Sequence, residues 1–98
     1  MNEKCFFIYI LTNKAFGVLY IGVTSDLPKR IYEHRNKLID GFSKRYNLTQ
    51  LVYYEIYANA ETVIIREKTL KHWPREWKIN VINQFNPEWN DLYDTISG

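Results

Sequence analysis

The first polar residues that could take part in a reaction lie on a helical segment after residue 26. At helical spacing, Leu27, Ile31 and Leu38 form one apolar stripe. His34 falls at the edge of that stripe, and Arg30 lies one turn before it on the same side. A histidine on an apolar face is most often a core residue with satisfied hydrogen bonds. Arginine needs anionic or acceptor partners because its guanidinium is always charged, so this position indicates a binding or catalytic role.

A second helical segment, 60–72, places an acid among apolar residues. Glu67 falls within the arc predicted to be buried, which consists of Ala60, Val63, Ile64 and Leu70. An isolated buried carboxylate is costly, so it needs a partner, a metal ion or a proton. The structural alternative is an i,i+4 ion pair with Lys71, worth only about 0.2–0.5 kcal/mol.

Two tyrosines in apolar segments, Tyr9 and Tyr20, complete this set, although each alone is typical of a core. A carboxylate can hold a divalent cation that polarises a phosphate and lowers the pKa of a bound water. An arginine can stabilise the charge of a pentacovalent transition state, and a phenol or imidazole can relay a proton. The set therefore suits phosphodiester hydrolysis, and its single acid favours one metal ion over two.

The elements that must position these groups are predicted from the hydrophobic pattern. Strands are expected at 6–11, 18–23 and 50–57, the first two paired as a hairpin. Helices are expected from the cap at 24–26 to about residue 39, at 60–72 after the cap Asn59, and at 75–84. Residues 42–49 are predicted to form a loop. The order β-β-α-β-α-α predicts an α+β fold, a three-stranded antiparallel sheet with about three helices packed on it.

Composition limits the class of protein. A 98-residue chain with 46% hydrophobic residues is predicted to form one domain, 1–98, and is too apolar for disorder. The single cysteine, Cys5, excludes an intramolecular disulfide, and no apolar run is long enough to span a membrane. We therefore expect a cytoplasmic protein. Residues 1–49 carry eight Lys/Arg and four Asp/Glu, against five and seven in 50–98. A basic first half suits a polyanion, although charge alone also fits a solvated helix face.

These residues carry a resemblance to the GIY-YIG nucleases. The segment 7–11 stands at the first motif, with glycine replaced but Tyr9 present, and 19–22 matches the second motif through Tyr20 and Gly22. Arg30 and His34 reproduce the family's Arg-x-x-x-His pattern. Glu67 matches the metal-binding glutamate. The segment 86–92 resembles the closing segment of short stand-alone bacterial members, so the resemblance extends over the whole chain.

The resemblance implies DNA cleavage that depends on a single Mg²⁺ or Mn²⁺ ion bound by Glu67. It implies that Tyr9 or Tyr20 positions or deprotonates the attacking water, and that Arg30 contacts the scissile phosphate. His34 would assist proton transfer. The family's asparagine corresponds to Asn90, with Asn86 as the alternative. A phenol is a poor base at neutral pH, and we expect a nearby cation and Arg30 to favour its ionised form.

The predicted substrate is DNA held mainly through its backbone, because no appended binding domain is expected. Low sequence specificity follows. We also expect a role in repair or recombination. Gly22, near the end of its strand, suggests a bulge or the close approach of a ligand or backbone, and is a candidate for substrate binding. The positive side chains expected to hold phosphates are Lys29, Arg35, Lys37, Lys44 and Arg45.

Two other classes of function are compatible with the sequence. One is a nucleic-acid-binding module without activity, which would bind strands through charge and stacking. The other is a protein-interaction module that uses Trp73, Trp77 and the tyrosines at 53, 54 and 57. His72 is expected to interact with a helix end, and Cys5 lacks the nearby base that a nucleophile needs. No protein partner can be named.

Overall fold

The structure of the protein is a computed structural model that describes residues 4–97. Its three strands are β1 (Phe6–Thr12), β2 (Leu19–Thr24) and β3 (Gln50–Tyr57). Five helices accompany them: α1 (Leu27–Arg35), α2 (Phe42–Arg45), α3 (Ala60–His72), α4 (Arg75–Phe85) and α5 (Tyr93–Ile96). The predicted α+β class with a three-stranded antiparallel sheet is confirmed.

The sheet has the order β2-β1-β3, so the hairpin partner β2 and the later strand β3 form its two edges. Tyr9 pairs with Gly22 across β1 and β2, and Leu11 pairs with Tyr20. Because side chains alternate along a strand, these four positions share one face of the sheet. The register between β1 and β3 shifts by one residue at Ile10 and Leu11.

Two hydrophobic clusters cover the two faces of the sheet. The first joins Ile8, Ile10 and Ile21 to Val63 and Leu70 of α3, with Ile82 of α4. The second joins Tyr9 and Leu11 to Leu27 and Ile31 of α1, with parts of α5 at its margin. The sheet thus lies between a layer of α3 and α4 and a layer of the shorter helices.

The caps identified in the sequence form as expected. The Asp26 side chain accepts a hydrogen bond from the Lys29 N–H, and Asn59 accepts one from the Thr62 N–H. Each satisfies a backbone donor that the first turn leaves unpaired. The predicted bounds of β3 and α3 are confirmed. α4 extends one residue beyond its predicted end.

The region after α1 differs from the prediction. α1 ends at Arg35, not at residue 39, because Asn36 caps it and Lys37 adopts a left-handed φ of 57°. Leu38 consequently leaves the apolar stripe and is 65% exposed. The predicted loop 42–49 is also wrong in part, since it contains α2. Residues Ala60 and Ile64 of α3, predicted to be buried, are exposed.

The C-terminal segment is tied to the outer edge of the sheet. The Leu92 N–H donates to the Leu51 carbonyl at 2.8 Å, and the Asn86 amide donates to the Val52 carbonyl at 3.1 Å. Asp91 accepts the Leu51 N–H at 3.2 Å. These bonds hold the segment that contains α5, a helix that the sequence did not predict, against β3.

Candidate active site

A buried hydrogen-bonded chain joins β1, α1 and α2. The Tyr9 hydroxyl lies 3.0 Å from Nε2 of His34, and Nδ1 of His34 lies 2.8 Å from the Ser43 hydroxyl. Tyr9 is 1% exposed, His34 is 3% exposed and Ser43 is buried with them. Both ring nitrogens therefore have a protein partner, which fixes the plane of the imidazole.

Tyr20 and Arg30 complete this cluster on its open side. The Tyr20 ring lies 6.2 Å from the Tyr9 ring and 5.6 Å from the His34 ring, between centroids. Arg30 lies close enough to Tyr9 and His34 for its charge to act on both. Its Nε lies 3.4 Å from the Glu33 carboxylate. Tyr20 and Arg30 are half-buried, unlike Tyr9 and His34. Solvent thus reaches the cluster at Tyr20 and Arg30.

Gly22 makes room for the Tyr9 ring. A Cβ at position 22 would lie 2.4 Å from both Cζ and the hydroxyl oxygen of Tyr9, closer than real contacts allow. β1 and β2 pair in continuous register without the bulge that the sequence suggested, and the group that approaches Gly22 is the phenol of the facing strand, not a backbone or a ligand. Gly22 itself is buried, and its contact with a substrate stays a prediction.

The protonation states of Tyr9 and His34 follow from their burial. Burial raises the pKa of the Tyr9 phenol above its usual value, and the neighbouring Tyr20 phenol raises it further. Arg30 lowers the pKa of Tyr9, but by less than burial and Tyr20 raise it. Arg30 thus favours the ionised phenol, as expected, but burial outweighs it, and the effect of a bound cation on Tyr9 stays a prediction. Burial and the charge of Arg30 lower the pKa of His34, while Glu33 opposes them, so His34 is neutral at pH 7.

Glu67 lies on the other side of the sheet from this cluster. It belongs to α3, one turn after Val63 and before Leu70, both of which pack under the opposite face. Its side chain is 23% exposed and forms the i,i+4 ion pair with Lys71, at 3.0 Å between Nζ and Oε2. The acid is thus partly buried, as the sequence predicts, but its observed partner is the ammonium group and not the tyrosine cluster.

The edge strand β2 connects the cluster around Tyr9 and His34 to α3, the helix that carries Glu67. Arg30 lines a cavity of about 330 Å³ together with Thr24 and Ser25 after β2 and the residues Ala60, Val63 and Ile64 of α3. The guanidinium therefore reaches past the end of β2 toward the helix that carries Glu67. The structure brings Tyr9, Tyr20, His34 and Arg30 together and places Glu67 farther along that helix.

Glu67 offers the oxygen donor that a hard divalent cation needs. Within residues 4–97 no group of three or more His, Cys, Asp or Glu side chains lies together, so a site made only of protein ligands is absent there. Mg²⁺ commonly binds through one or two carboxylates, substrate phosphate oxygens and water. The partly exposed carboxylate of Glu67 fits that mode of binding.

The two candidate asparagines have different environments. Asn86 is 6% exposed, and its amide donates to the carbonyls of Val52 and Asn90. Its Oδ1 accepts the Asn90 N–H at 3.1 Å. Asn90 is exposed, and only its backbone enters these bonds. Asn86 thus holds the local backbone in place, while the correspondence of Asn90 or Asn86 to the family's asparagine stays a prediction.

The basic side chains predicted to bind phosphate are all exposed, but their partners differ. Arg35 bonds to Asp91 and lies 4.7 Å over the Tyr93 ring, which ties α1 to the C-terminal segment. Lys44 pairs with Asp40 at 3.1 Å, and Arg45 lies over the Tyr46 ring. Lys29 lines a cleft beside Arg30, and Lys37 follows α1. Their contacts with DNA stay predictions.

The aromatic residues of the interaction-module alternative largely have partners within the chain. Tyr53 and Tyr57 donate hydrogen bonds to Glu55, which also binds Arg66 through two bonds of 3.0 Å. Trp73 packs on Arg66 and against Trp77. Trp77 is exposed, but most of these rings serve the packing of α3 and α4 on the sheet.

Sequence reasoning missed Ser43. A single serine in a segment interpreted as a loop gave no periodic signal, and its position beside His34 depends on a contact nine residues away. The one available indication was the pair Gly41–Phe42 before a basic run, which permits a short helix.

Comparisons with known proteins give matches over most of the chain. The GIY-YIG catalytic domain matches residues 5–80 of the chain. A UPF0213 protein of Staphylococcus saprophyticus is 33% identical over 78 residues, covering 80% of this chain and 94% of its own. UPF0213 proteins of Clostridium perfringens and Bacillus pumilus are 32% and 28% identical; they cover 79% and 90% of this chain, and 82% and 89% of their own lengths.

No solved structure gives a significant match to the chain. Among residues 4–97, no helix has the length and apolar character required to cross a membrane.

Proposed function

Because the chain belongs to the GIY-YIG family of nucleases, we propose that it is an active nuclease that hydrolyses phosphodiester bonds in DNA. The observation that carries this proposal is the cluster of Tyr9, Tyr20, Arg30 and His34. Its two buried members are joined by a hydrogen bond of 3.0 Å, and its two accessible members face solvent. A packing role alone does not require a guanidinium and a neutral imidazole beside two phenols.

In the proposed reaction Tyr20 contacts the attacking water, because it is the more accessible phenol. The water proton passes to the Tyr20 oxygen, the Tyr20 proton to the Tyr9 oxygen, and the Tyr9 proton to Nε2 of His34. Neither phenol has to ionise, so the raised pKa of Tyr9 is no obstacle. The water oxygen bonds to phosphorus as the bond to the leaving oxygen breaks, and solvent protonates the leaving oxygen.

Arg30 stabilises the phosphate during this step. It is the charged donor group at the open side of the cluster, and it lines the cavity beside β2. A guanidinium presents paired N–H donors that match phosphate oxygens. The developing negative charge of the pentacovalent phosphorus would therefore lie between Arg30 and the water held by Tyr20.

A single Mg²⁺ or Mn²⁺ ion held by Glu67 belongs to the proposal. When bound, the ion would polarise the phosphate and neutralise charge on the leaving side. Glu67 would exchange its ion pair with Lys71 for the cation, and a DNA backbone that meets both Glu67 and Arg30 would lie along the edge strand β2. Backbone contacts of this kind carry little sequence information, so we propose low sequence specificity. A role in repair or recombination and a cytoplasmic location also belong to the proposal.

A second candidate function is a nucleic-acid-binding module without activity. The observation that favours it is the Glu67–Lys71 pair, which satisfies the acid without any metal ion. That pair is 51% exposed on the lysine side, and such exposed pairs are weak. A divalent ion and a substrate phosphate would together displace it, so the pair argues little against cleavage.

Cleavage assays on linear, nicked, branched and single-stranded DNA, with Mg²⁺, Mn²⁺ or EDTA, test the proposal. The wild-type protein should cut at least one substrate with a metal ion and none with EDTA. Glu67→Gln should abolish cutting while leaving DNA affinity unchanged. Arg30→Ala should lower kcat by about 10²–10³ through lost charge stabilisation.

The matched control for Glu67→Gln is Glu61→Gln, the same change in the exposed first turn of α3. It should leave cutting unchanged. A wild-type protein that binds DNA but cuts no substrate with either metal ion would refute the nuclease proposal and favour the binding module. Equal cutting by the Glu67→Gln and Glu61→Gln variants would refute the assignment of Glu67.

A further inference from the structure

We infer that Ser43 is a positioning residue that holds His34 in the Nδ1–H tautomer and so keeps Nε2 free to accept a proton. The inference rests on the proposed function, but its main test needs no substrate. It concerns a residue that touches neither water nor phosphate and acts only through the imidazole.

The hydrogen of the Tyr9 hydroxyl determines which nitrogen of His34 accepts. Burial keeps the phenol protonated, so its O–H needs an acceptor within the protein. Arg30 has only donors. The Tyr20 hydroxyl also lies beside Tyr9, but it has a hydrogen of its own and donates toward Tyr9 in the proposed reaction. Nε2 of His34, at 3.0 Å, is then the acceptor for the Tyr9 hydrogen. A nitrogen that accepts this bond carries no hydrogen.

The position of the hydrogen on Nδ1 follows from the neutral state of the His34 ring. A neutral imidazole carries one N–H, and if Nε2 accepts, the hydrogen must be on Nδ1. The group opposite Nδ1 is the Ser43 oxygen at 2.8 Å. A serine oxygen has two lone pairs, so it can accept this N–H and stabilise this tautomer. Without it, the buried N–H would lack a partner.

The short helix α2 presents Ser43 to the imidazole. Ser43 is the one buried residue of this four-residue helix, between exposed Phe42 and exposed Lys44. The helix therefore turns Ser43 toward His34, while the more exposed Phe42 ring stacks on Tyr20. Its backbone is held by the bond from the Leu48 N–H to the Ser43 carbonyl at 2.8 Å. This bond holds the backbone of Ser43, and the contact with Nδ1 of His34 orients its hydroxyl.

The test that needs no cleavage is ¹⁵N NMR of the histidine rings in a His72→Gln background. The chain has two histidines, so this change leaves His34 alone in the spectrum. The expected result is a protonated Nδ1 and an unprotonated Nε2. Ser43→Ala should shift the population toward Nε2–H. A parent protein with Nε2–H, or an alanine variant with an unchanged tautomer, would overturn the inference.

The kinetic test separates positioning from folding. Ser43→Ala should lower kcat roughly 10- to 100-fold with KM unchanged, less than the ~10²–10⁴ of a complete loss of proton transfer. Ser43→Thr keeps the hydroxyl and should restore most of the rate, whereas Ser97→Ala, at an exposed serine, should have no effect. Failure of Ser43→Thr to restore the rate of a folded protein would indicate a packing role and overturn the inference.

Failure of the alanine variant to fold, or of the wild-type protein to cut DNA, can be told apart from failure of the inference. If the alanine variant does not fold, Ser43→Cys replaces it, because a thiol has nearly the same shape but accepts hydrogen bonds weakly. If the wild-type protein cuts no DNA, the proposed function fails, yet the NMR result still decides whether Ser43 sets the tautomer.

Discussion

Tyr9 and Gly22 face each other across β1 and β2, and the ring of Tyr9 fills the space that a side chain at position 22 would need. The glycine of the second motif thus positions the tyrosine of the first. The phenol passes over Gly22 of the facing strand and reaches His34 on α1. A motif glycine and a motif tyrosine therefore act as one packing unit.

This packing predicts that Gly22→Ala is destabilising. The added methyl group must displace the Tyr9 ring, and such overpacking costs about 1–3 kcal/mol. It should outweigh the gain of about 0.4–1 kcal/mol from a stiffer unfolded chain. Urea unfolding measures the change. In a Tyr9→Leu background the cost of Gly22→Ala should fall markedly; an equal cost in both backgrounds would show that the ring is not the cause.

The ion pair of Glu67 predicts that Lys71 competes with the metal ion. Lys71→Gln removes the ammonium 3.0 Å from Oε2, so the Mn²⁺ concentration for half-maximal cleavage should fall. A pair worth about 0.2–0.5 kcal/mol corresponds to a shift of roughly 1.5- to 2.5-fold. Lys68→Gln makes the same charge change on exposed α3 surface and is the control. A larger shift in the control would contradict the prediction.

The two asparagines should separate stability from activity. Asn86→Ala removes three hydrogen bonds and leaves buried backbone groups unpaired, so the free energy of unfolding should fall by about 1.5–3 kcal/mol. Asn90→Ala should change it by less than about 0.5 kcal/mol. Unfolding and cleavage are measured on both variants. Loss of cleavage in a fully stable Asn90→Ala protein would instead identify Asn90 as catalytic.

The basic residues should differ in their effect on DNA binding. Lys44→Ala and Arg45→Ala should each reduce the slope of log Kd against log salt by about one, as for a lost phosphate contact. Arg35→Ala should leave the slope unchanged and lower stability, because Arg35 binds Asp91 and packs on Tyr93.

Fluorescence anisotropy over a range of salt concentrations measures these slopes. Lys14→Ala, in the turn between β1 and β2, removes an equal charge outside the proposed surface and should leave the slope unchanged. A reduced slope for Arg35→Ala at full stability would place Arg35 in the DNA interface.

His34 predicts a dependence of stability on pH. Its pKa in the native state lies below 6.5, so the unfolded chain binds this proton more tightly. The free energy of unfolding should therefore fall as the pH drops through 6.5 toward the lower native pKa, and stay constant for this group above it. Urea unfolding between about pH 5 and pH 8 tests this. His34→Gln should remove this part of the slope, and an unchanged slope would contradict the assignment.

The elements with strong local signals were predictable. α3 begins at the cap Asn59 and stops before Pro74, and β3 is an unbroken apolar and aromatic run, so their bounds agree with the sequence. The end of α1 was not predictable, since the polar residues after Arg35 continue a helical pattern. A left-handed backbone at Lys37 decides where the helix ends, and no residue type announces it.

The sequence predicted which residues form the site better than it predicted how they are arranged. The alternation of strand side chains places Tyr9 and Tyr20 on one face, and helical spacing joins Arg30 to His34. Helical spacing also indicates that Glu67 turns inward, but not which face of the sheet α3 covers. That choice depends on the packing of Val63 and Leu70 against Ile8 and Ile10.

The attachment of the C-terminal segment also protects the sheet. An edge strand exposes unpaired N–H and C=O groups that can recruit a strand from another molecule. Leu92 and Asn86 occupy the carbonyls of Leu51 and Val52, and Asp91 occupies the Leu51 N–H. The start of β3 is therefore closed to intermolecular strand addition, and loosening this segment would make the chain prone to aggregate through that strand.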